Sequence, residues 1–200
     1  MEEPMEPATR DEDFPVIERV LAGDLKAYEI LVKKYQKRVY YLALRMTKSH
    51  DVADELAQES FVKAYLALSR FEKGKSFYTW IYRITINLVL NYLKHSRFTV
   101  SLDSPERRAY LESIPESPDQ LTRLVNLEEF GRFQKALDEL PPQQKVVFLL
   151  RTFDDLSYEK IAEVVGCSVG TVMSRLFRAR NRLKTLLTET EKRKDGRLQK

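Results

Sequence analysis

Apolar residues recur at helical spacing along most of the chain, and the breaks between those runs separate the helices. Val16, Ile17, Val20 and Leu21 follow the i, i+3, i+4 rule. After a break at Ala22, Gly23 and Asp24 the same spacing runs through Tyr28, Leu31, Val32, Tyr35, Val39, Leu42 and Met46. Thr47 to His50 is a short polar break. Asp51 then reads as the N-cap of a helix with Val52, Leu56, Phe61, Tyr65 and Leu68 on its apolar side. A loop from Phe71 to Ser76 leads into a helix from about Phe77 to His95, with Ile81, Ile84, Leu88 and Tyr92 as its buried face.

Residues 97–126 differ: Pro105, Pro115 and Pro118 stand among Ser, Glu and Asp with few bulky apolar groups, a composition suited to an extended linker. Helical spacing returns at Leu127 and runs to Glu139, ahead of Pro141 and Pro142, since the residue before a proline disfavours helix. Three more helices are predicted at about Gln143–Thr152, Ser157–Val165 and Ser168–Leu187. The expectation is an all-α protein of two small helical domains joined by a flexible linker. Its pieces are an acidic tail (1–13), a first domain (14–96), the linker (97–126), a second domain (127–188) and a basic tail (189–200).

The second domain carries the most specific signal. Ser157 caps a short helix whose Ile161, Ala162 and Val165 face inward, and Gly166 supplies a left-handed residue to end it. Ser168 then caps the next helix, leaving the short turn of a DNA-binding helix-turn-helix. In that second helix Val172, Leu176, Ala179 and Leu183 make one apolar stripe, while Thr171, Ser174, Arg175, Arg178 and Arg182 fall off it. Hydroxyls and guanidinium groups there suit base edges and phosphates. An ordinary amphipathic helix with a solvated arginine face has the same periodicity, but it does not account for the capped helix and glycine turn in front.

The helix at 77–95 packs Phe77, Tyr78, Trp80 and Tyr82 beside Lys75, Arg83 and Lys94. Arg83, Asn87, Asn91 and Lys94 are spaced four, four and three apart and so share one face. Asparagine is unfavourable inside a helix because its amide competes for backbone hydrogen bonds. Aromatics interleaved with cations are what single-stranded DNA binding uses, although core packing is an equally good reading of any one of them. Tyr78 and Trp80 cannot both point inward with Ile81 and Ile84, so part of the cluster is expected to be exposed.

Composition narrows the classes. The 43% hydrophobic content supports packed cores, and no apolar stretch is long enough to cross a bilayer, so no membrane insertion is expected. The acidic, proline-containing start is unlike a signal peptide, so a cytoplasmic location is expected. A single cysteine, Cys167, and two distant histidines offer neither an internal disulfide nor a zinc site; no metal and no cofactor are expected. The net charge of +4 conceals an uneven distribution. Residues 1–13 hold six acids against Arg10, and residues 178–200 hold nine bases against three acids, a basic end fit for a polyanion.

Together these residues resemble the extracytoplasmic-function (ECF) group of the bacterial sigma-70 family. The likeness runs from Tyr28 to Leu187, most tellingly through DVADELAQESFVKAY, FYTWIYRITINLVLNYL and ELPPQQKVVFLLR with LSYEKIAEVVGCSVGTVMSRLFRAR. It implies a non-catalytic factor that binds core RNA polymerase, recognises the −10 and −35 promoter elements and promotes melting. By position it places Asp54, Glu55, Leu56, Gln58, Glu59 and Phe61 on core polymerase. It places Lys75, Phe77, Tyr78, Trp80, Arg83, Asn87 and Asn91 on the single-stranded −10 element. Gly170, Thr171, Ser174, Arg175, Phe177 and Arg178 would meet the double-stranded −35 element. Met173 departs from the pattern, because a basic residue is common at that place and a thioether donates no hydrogen bond. The resemblance also implies an anti-sigma factor as partner and a linker that threads polymerase channels. Two rivals are an ordinary helix-turn-helix regulator, with the first domain as its dimerisation or effector part, and an enzyme with a DNA-binding appendage. The first has no use for an exposed aromatic–asparagine helix; the second finds no phosphate loop, metal spacing or nucleophile in the sequence.

Overall fold

The computed structural model describes residues 12–96 and 130–198, with side chains through 188. The expected linker, most of the acidic tail and the first residues of the second domain lie outside that range. Every regular element among the described residues is helical, and none is long and apolar enough to cross a membrane. Residues 12–96 belong to one compact unit, residues 130–162 and 167–198 to another.

The first unit is built around a central helix. α1 (Phe14–Leu21) buries Ile17 and Val20 and ends at Gly23, whose φ of 100° turns the chain. Asp24 then caps α2 (Leu25–Thr47) by accepting from the Ala27 amide at 3.3 Å. α2 buries Leu31, Tyr35, Val39, Leu42 and Met46, the row its spacing predicts, and packs against α1, α3 and α4. Asp13 is not part of a solvated tail: it is buried, accepts from the Tyr35 phenol and pairs with Lys34 at 2.7 Å.

α3 (His50–Leu66) departs from expectation in two ways. Its cap is Ser49, whose hydroxyl accepts from the Val52 amide at 3.3 Å, and Asp51 lies already in the first turn. Its buried stripe is mostly small: Ala53, Leu56, Ala57, Ser60, Phe61 and Ala64. Val52 is half-buried, and Tyr65 is exposed. A 3₁₀ turn (Leu68–Arg70) buries Leu68 and leads to the 71–76 loop and to α4 (Phe77–Ser96).

In the second unit, α5 covers 130–138 and α6 (Pro142–Thr152) starts on a proline. Pro142 fits there because first-turn amides lack intrahelical acceptors in any case. Phe133 meets Phe148 at 6.2 Å, joining α5 to α6, and α6 packs on α8. α7 (Tyr158–Val165), through residue 162, and α8 (Val169–Leu198) complete the unit. α8 runs beyond the expected end at Leu187, so the segment assigned to a basic tail continues as helix to Leu198.

Candidate nucleic-acid and polymerase interfaces

The helix-turn-helix is built by its caps. Ser157 accepts from the Lys160 amide at 3.2 Å and fixes the start of α7. Gly166, at a φ of 71°, ends it, and the Cys167 amide closes back on the Ala162 carbonyl at 3.1 Å, as in a Schellman turn. Ser168 accepts from the Thr171 amide at 3.2 Å and starts α8 two residues after the glycine. Ile161 and Ala162 are buried as expected, whereas Val165 is half-buried and its neighbour Val164 is buried. Val172, Leu176, Ala179 and Leu183 are all buried, so the predicted stripe is what seats α8.

Opposite that stripe, Gly170, Ser174, Phe177, Arg178 and Arg182 are exposed. Thr171 and Arg175 are half-buried at its edges. The Thr171 and Ser168 hydroxyls lie 2.9 Å apart, and Ser174 donates to the Thr171 carbonyl at 3.0 Å, so both helix hydroxyls have partners within the turn and helix. Arg175 leans back toward the turn, its guanidinium 3.8 Å from the Cys167 sulfur.

In the first unit the aromatic cluster divides. Phe77 and Tyr78 are each 1% exposed, and Tyr82 is wholly buried. Tyr35 packs against Phe77 at 5.6 Å and Tyr78 at 6.1 Å, while the Tyr78 and Tyr82 rings meet at 4.2 Å, tilted by 38°. Rings enclosed in this way cannot stack on a base, so the direct contacts expected of Phe77 and Tyr78 are not available in this arrangement. Their place in the core instead anchors the loop and the start of α4. Trp80 is half-buried, edge-on to Phe71 at 5.3 Å. Lys75, Arg83, Asn87, Asn91 and Lys94 are all exposed, and the last four line one face of α4. Of the expected buried face, Ile81 and Leu88 are inside, Ile84 is half-buried and Tyr92 is exposed; Phe77, Tyr78, Thr79, Tyr82, Thr85, Ile86 and Val89 are the other buried residues of α4.

On α3, Asp54, Glu55 and Gln58 are exposed and Glu59 is half-buried. Gln58 donates to Asp54 at 2.7 Å, and Glu59 pairs with Lys63 at 2.9 Å. Leu56 and Phe61 are buried, so they support this surface from beneath rather than forming it. Between α2 and α3 runs a groove of about 520 Å³ lined by Val32, Gln36, Tyr40, Tyr41, Asp54 and Phe61. Tyr41, Val62 and Leu66 stand exposed on the same two helices. The α2 side of this groove escapes a sequence reading, because Tyr40 and Tyr41 look like core residues of an amphipathic helix.

Known proteins share these features. The sigma-70 region 2 family model matches residues 31–99, and the sigma-70 region 4 model matches residues 130–183. The RNA polymerase sigma-H factor of Pseudomonas aeruginosa is 38% identical over 179 residues, spanning 86% of this chain and 92% of that protein. The ECF RNA polymerase sigma-E factor of Escherichia coli (strain K12) is 38% identical over 176 residues, 84% of this chain and 90% of that one. Among solved structures, the sigma factor RpoE from Bartonella quintana, in complex with the anti-sigma factor NepR, has 28% identity and a TM-score of 0.62 over 82% of this chain and 98% of that one. CnrH, solved with the cytosolic domain of CnrY, is alike in fold, with a TM-score of 0.66 at 23% identity over 90% of this chain and 99% of that one.

Proposed function

Because the chain belongs to the ECF group of the sigma-70 family, whose members bind core RNA polymerase and direct it to promoters, we propose how its surfaces divide that work. α8 enters the major groove of the −35 element and reads it with Gly170, Thr171, Ser174, Phe177 and Arg178. Arg175 supports from the edge. The 71–76 loop and α4 take the single-stranded −10 element, with Lys75, Trp80, Arg83, Asn87 and Asn91 in contact and Phe77 and Tyr78 holding them in place. Asp54, Glu55, Gln58 and Glu59, backed by Leu56 and Phe61, dock on core polymerase.

In domain terms, residues 14–96 serve polymerase and the −10 element, residues 127–188 serve the −35 element, and residues 97–126 thread between them. The polymerase performs the chemistry, and the protein acts in the cytoplasm where polymerase and DNA are. An anti-sigma factor is a further partner, and the α2–α3 groove is the surface it would mask.

The carrying observation is the exposed row Arg83, Asn87, Asn91 and Lys94 on one face of α4. Amides at helical spacing meet unpaired base edges, and the flanking cations meet phosphate. Run-off transcription by core polymerase on a promoter library, with and without the protein, tests the reading. Specific start sites should appear only with it. Asn87→Ala should leave closed complexes intact and reduce permanganate reactivity at the −10 element. A library with no protein-dependent starts refutes the proposal.

A further inference from the structure

Phe177 is 67% exposed and Met173 53% exposed, and they stand one turn apart on α8. Large apolar side chains at such exposure lose free energy to water unless a partner covers them. The surrounding charge identifies that partner. Residues 169–188 carry Arg175, Arg178, Arg180, Arg182 and Lys184 and no acidic residue. An apolar protein partner would have to desolvate that cluster, whereas duplex DNA uses both features at once.

The order of side chains around α8 is specific. At about 100° per residue, Gly170, Ser174 and Asn181 occupy the middle of the outward face. Thr171, Arg178 and Arg182 form one shoulder of it, and Met173 and Phe177 form the other. The major groove displays two matching kinds of feature: acceptor and donor edges, which arginine and hydroxyls pair with, and the C5-methyl of thymine, which only an apolar surface recognises. A cation at position 173 would reach for a phosphate or a guanine edge. A thioether is polarizable and adaptable, and it fits a methyl group.

We propose that Met173, together with Phe177, is a specificity-determining residue that selects thymine in the −35 element by covering its C5-methyl. This rests on α8 being the helix that reads that element. Met173 thereby shifts base preference away from the guanine or phosphate contact that a basic residue would make and toward an A·T pair at its position. The rest of the helix keeps its polar readout.

The test uses core RNA polymerase loaded with the full chain and a promoter recovered from the run-off library. Each thymine of the −35 element, on either strand, is replaced in turn by deoxyuridine, which removes the methyl and leaves every hydrogen-bonding group in place. Wild-type holoenzyme should lose about fourfold in affinity at one or two positions, the worth of one methyl-sized apolar contact. Met173→Ala should abolish the loss at one of them, and Met173→Leu should retain it. Because thymine and deoxyuridine are compared within each variant, any general weakening of the fold cancels.

Equal binding of thymine and deoxyuridine promoters by the wild type overturns the inference, as does an undiminished penalty in Met173→Ala. A recovered −35 element without any A·T pair overturns it too. A scrambled −35 element that binds as well as the original overturns instead the assignment of α8, and the inference falls with it.

Discussion

Tyr35, in the middle of α2, donates its phenolic hydrogen to the carboxylate of Asp13, the residue immediately before α1. Burial, and then the carboxylate itself, push the phenol well above its ordinary range, so it stays protonated and remains a donor. Lys34 holds the same carboxylate at 2.7 Å, and together these bonds fasten α1 to α2.

Asp13→Ala should therefore destabilise the first unit by about 1–3 kcal/mol, the cost of leaving a buried donor unsatisfied. Trp80 is the sole tryptophan and lies in that unit, so a urea titration followed by its fluorescence reports the loss directly. An unchanged midpoint would mean that the bond contributes nothing net.

In the second unit Lys145 is buried, its side chain 8% exposed, and it reaches Asp138 at 3.2 Å. Burial pushes its ammonium down from 10.5 to about 8. The folded state thus releases a proton that the unfolded chain still holds between about pH 8 and 10.5, and stability should rise with pH across that window. The full shift corresponds to about 3 kcal/mol, an upper bound because the Asp138 carboxylate favours the charged form. Urea melts followed by circular dichroism should show the rise in the wild type and none in Lys145→Met. Below pH 8, Asp138→Asn should destabilise this unit by about 3 kcal/mol, because it strips the buried ammonium of its carboxylate.

A buried ring at the start of α4 and an exposed cation in the loop before it should respond differently to truncation. Phe77→Ala opens a cavity in the core and should lower stability by about 3–5 kcal/mol. Lys75→Ala should leave the urea midpoint within about 0.5 kcal/mol and still impair promoter opening, as its side chain is exposed. Paired measurements of unfolding and of permanganate reactivity on both variants separate the scaffold from the contact surface. Equal defects in opening per unit of lost stability would remove Lys75 from the contact surface.

Gly170 has an ordinary helical backbone, and a Cβ built there meets nothing closer than the Ser168 hydroxyl at 4.0 Å. The protein itself has no need of a glycine at this position, which costs up to about 1 kcal/mol of helix stability relative to alanine. Gly170→Ala should leave the melting temperature equal or higher while weakening promoter binding, if DNA backbone fills the space. Thermal melts and holoenzyme binding on the same preparation decide it; unweakened binding would mean that nothing approaches this spot.

What the sequence revealed depended on how strongly each residue signals burial. The helix-turn-helix was legible almost in full, because its caps, its glycine and its stripe of Val172, Leu176, Ala179 and Leu183 are each unambiguous. α3 was legible as a helix with Leu56 and Phe61 buried, but not in the rest of its inward face. Its inward residues are largely Ala and Ser, which carry little hydrophobic signal, while Val62, Tyr65 and Leu66 point outward and mimic a core face. The aromatics of α4 could not be sorted, since periodicity does not distinguish a buried ring from one offered to a ligand. Burial of Phe77 and Tyr78 beside Tyr35 depends on contacts between helices far apart in sequence. Met173 looked like a defect in a pattern until its exposure beside Phe177 gave it a surface to belong to.

α8 is one unbroken helix of 30 residues, roughly 45 Å at 1.5 Å per residue. Among the described side chains the last fully buried one is Leu183, followed by the half-buried Leu186 and Leu187, so the helix is held along the stretch that carries Ser174 and Arg178. A sideways force applied near Leu198 would act with leverage on that stretch. A load there would tilt the face that carries Gly170, Ser174 and Arg178 without touching any of those residues.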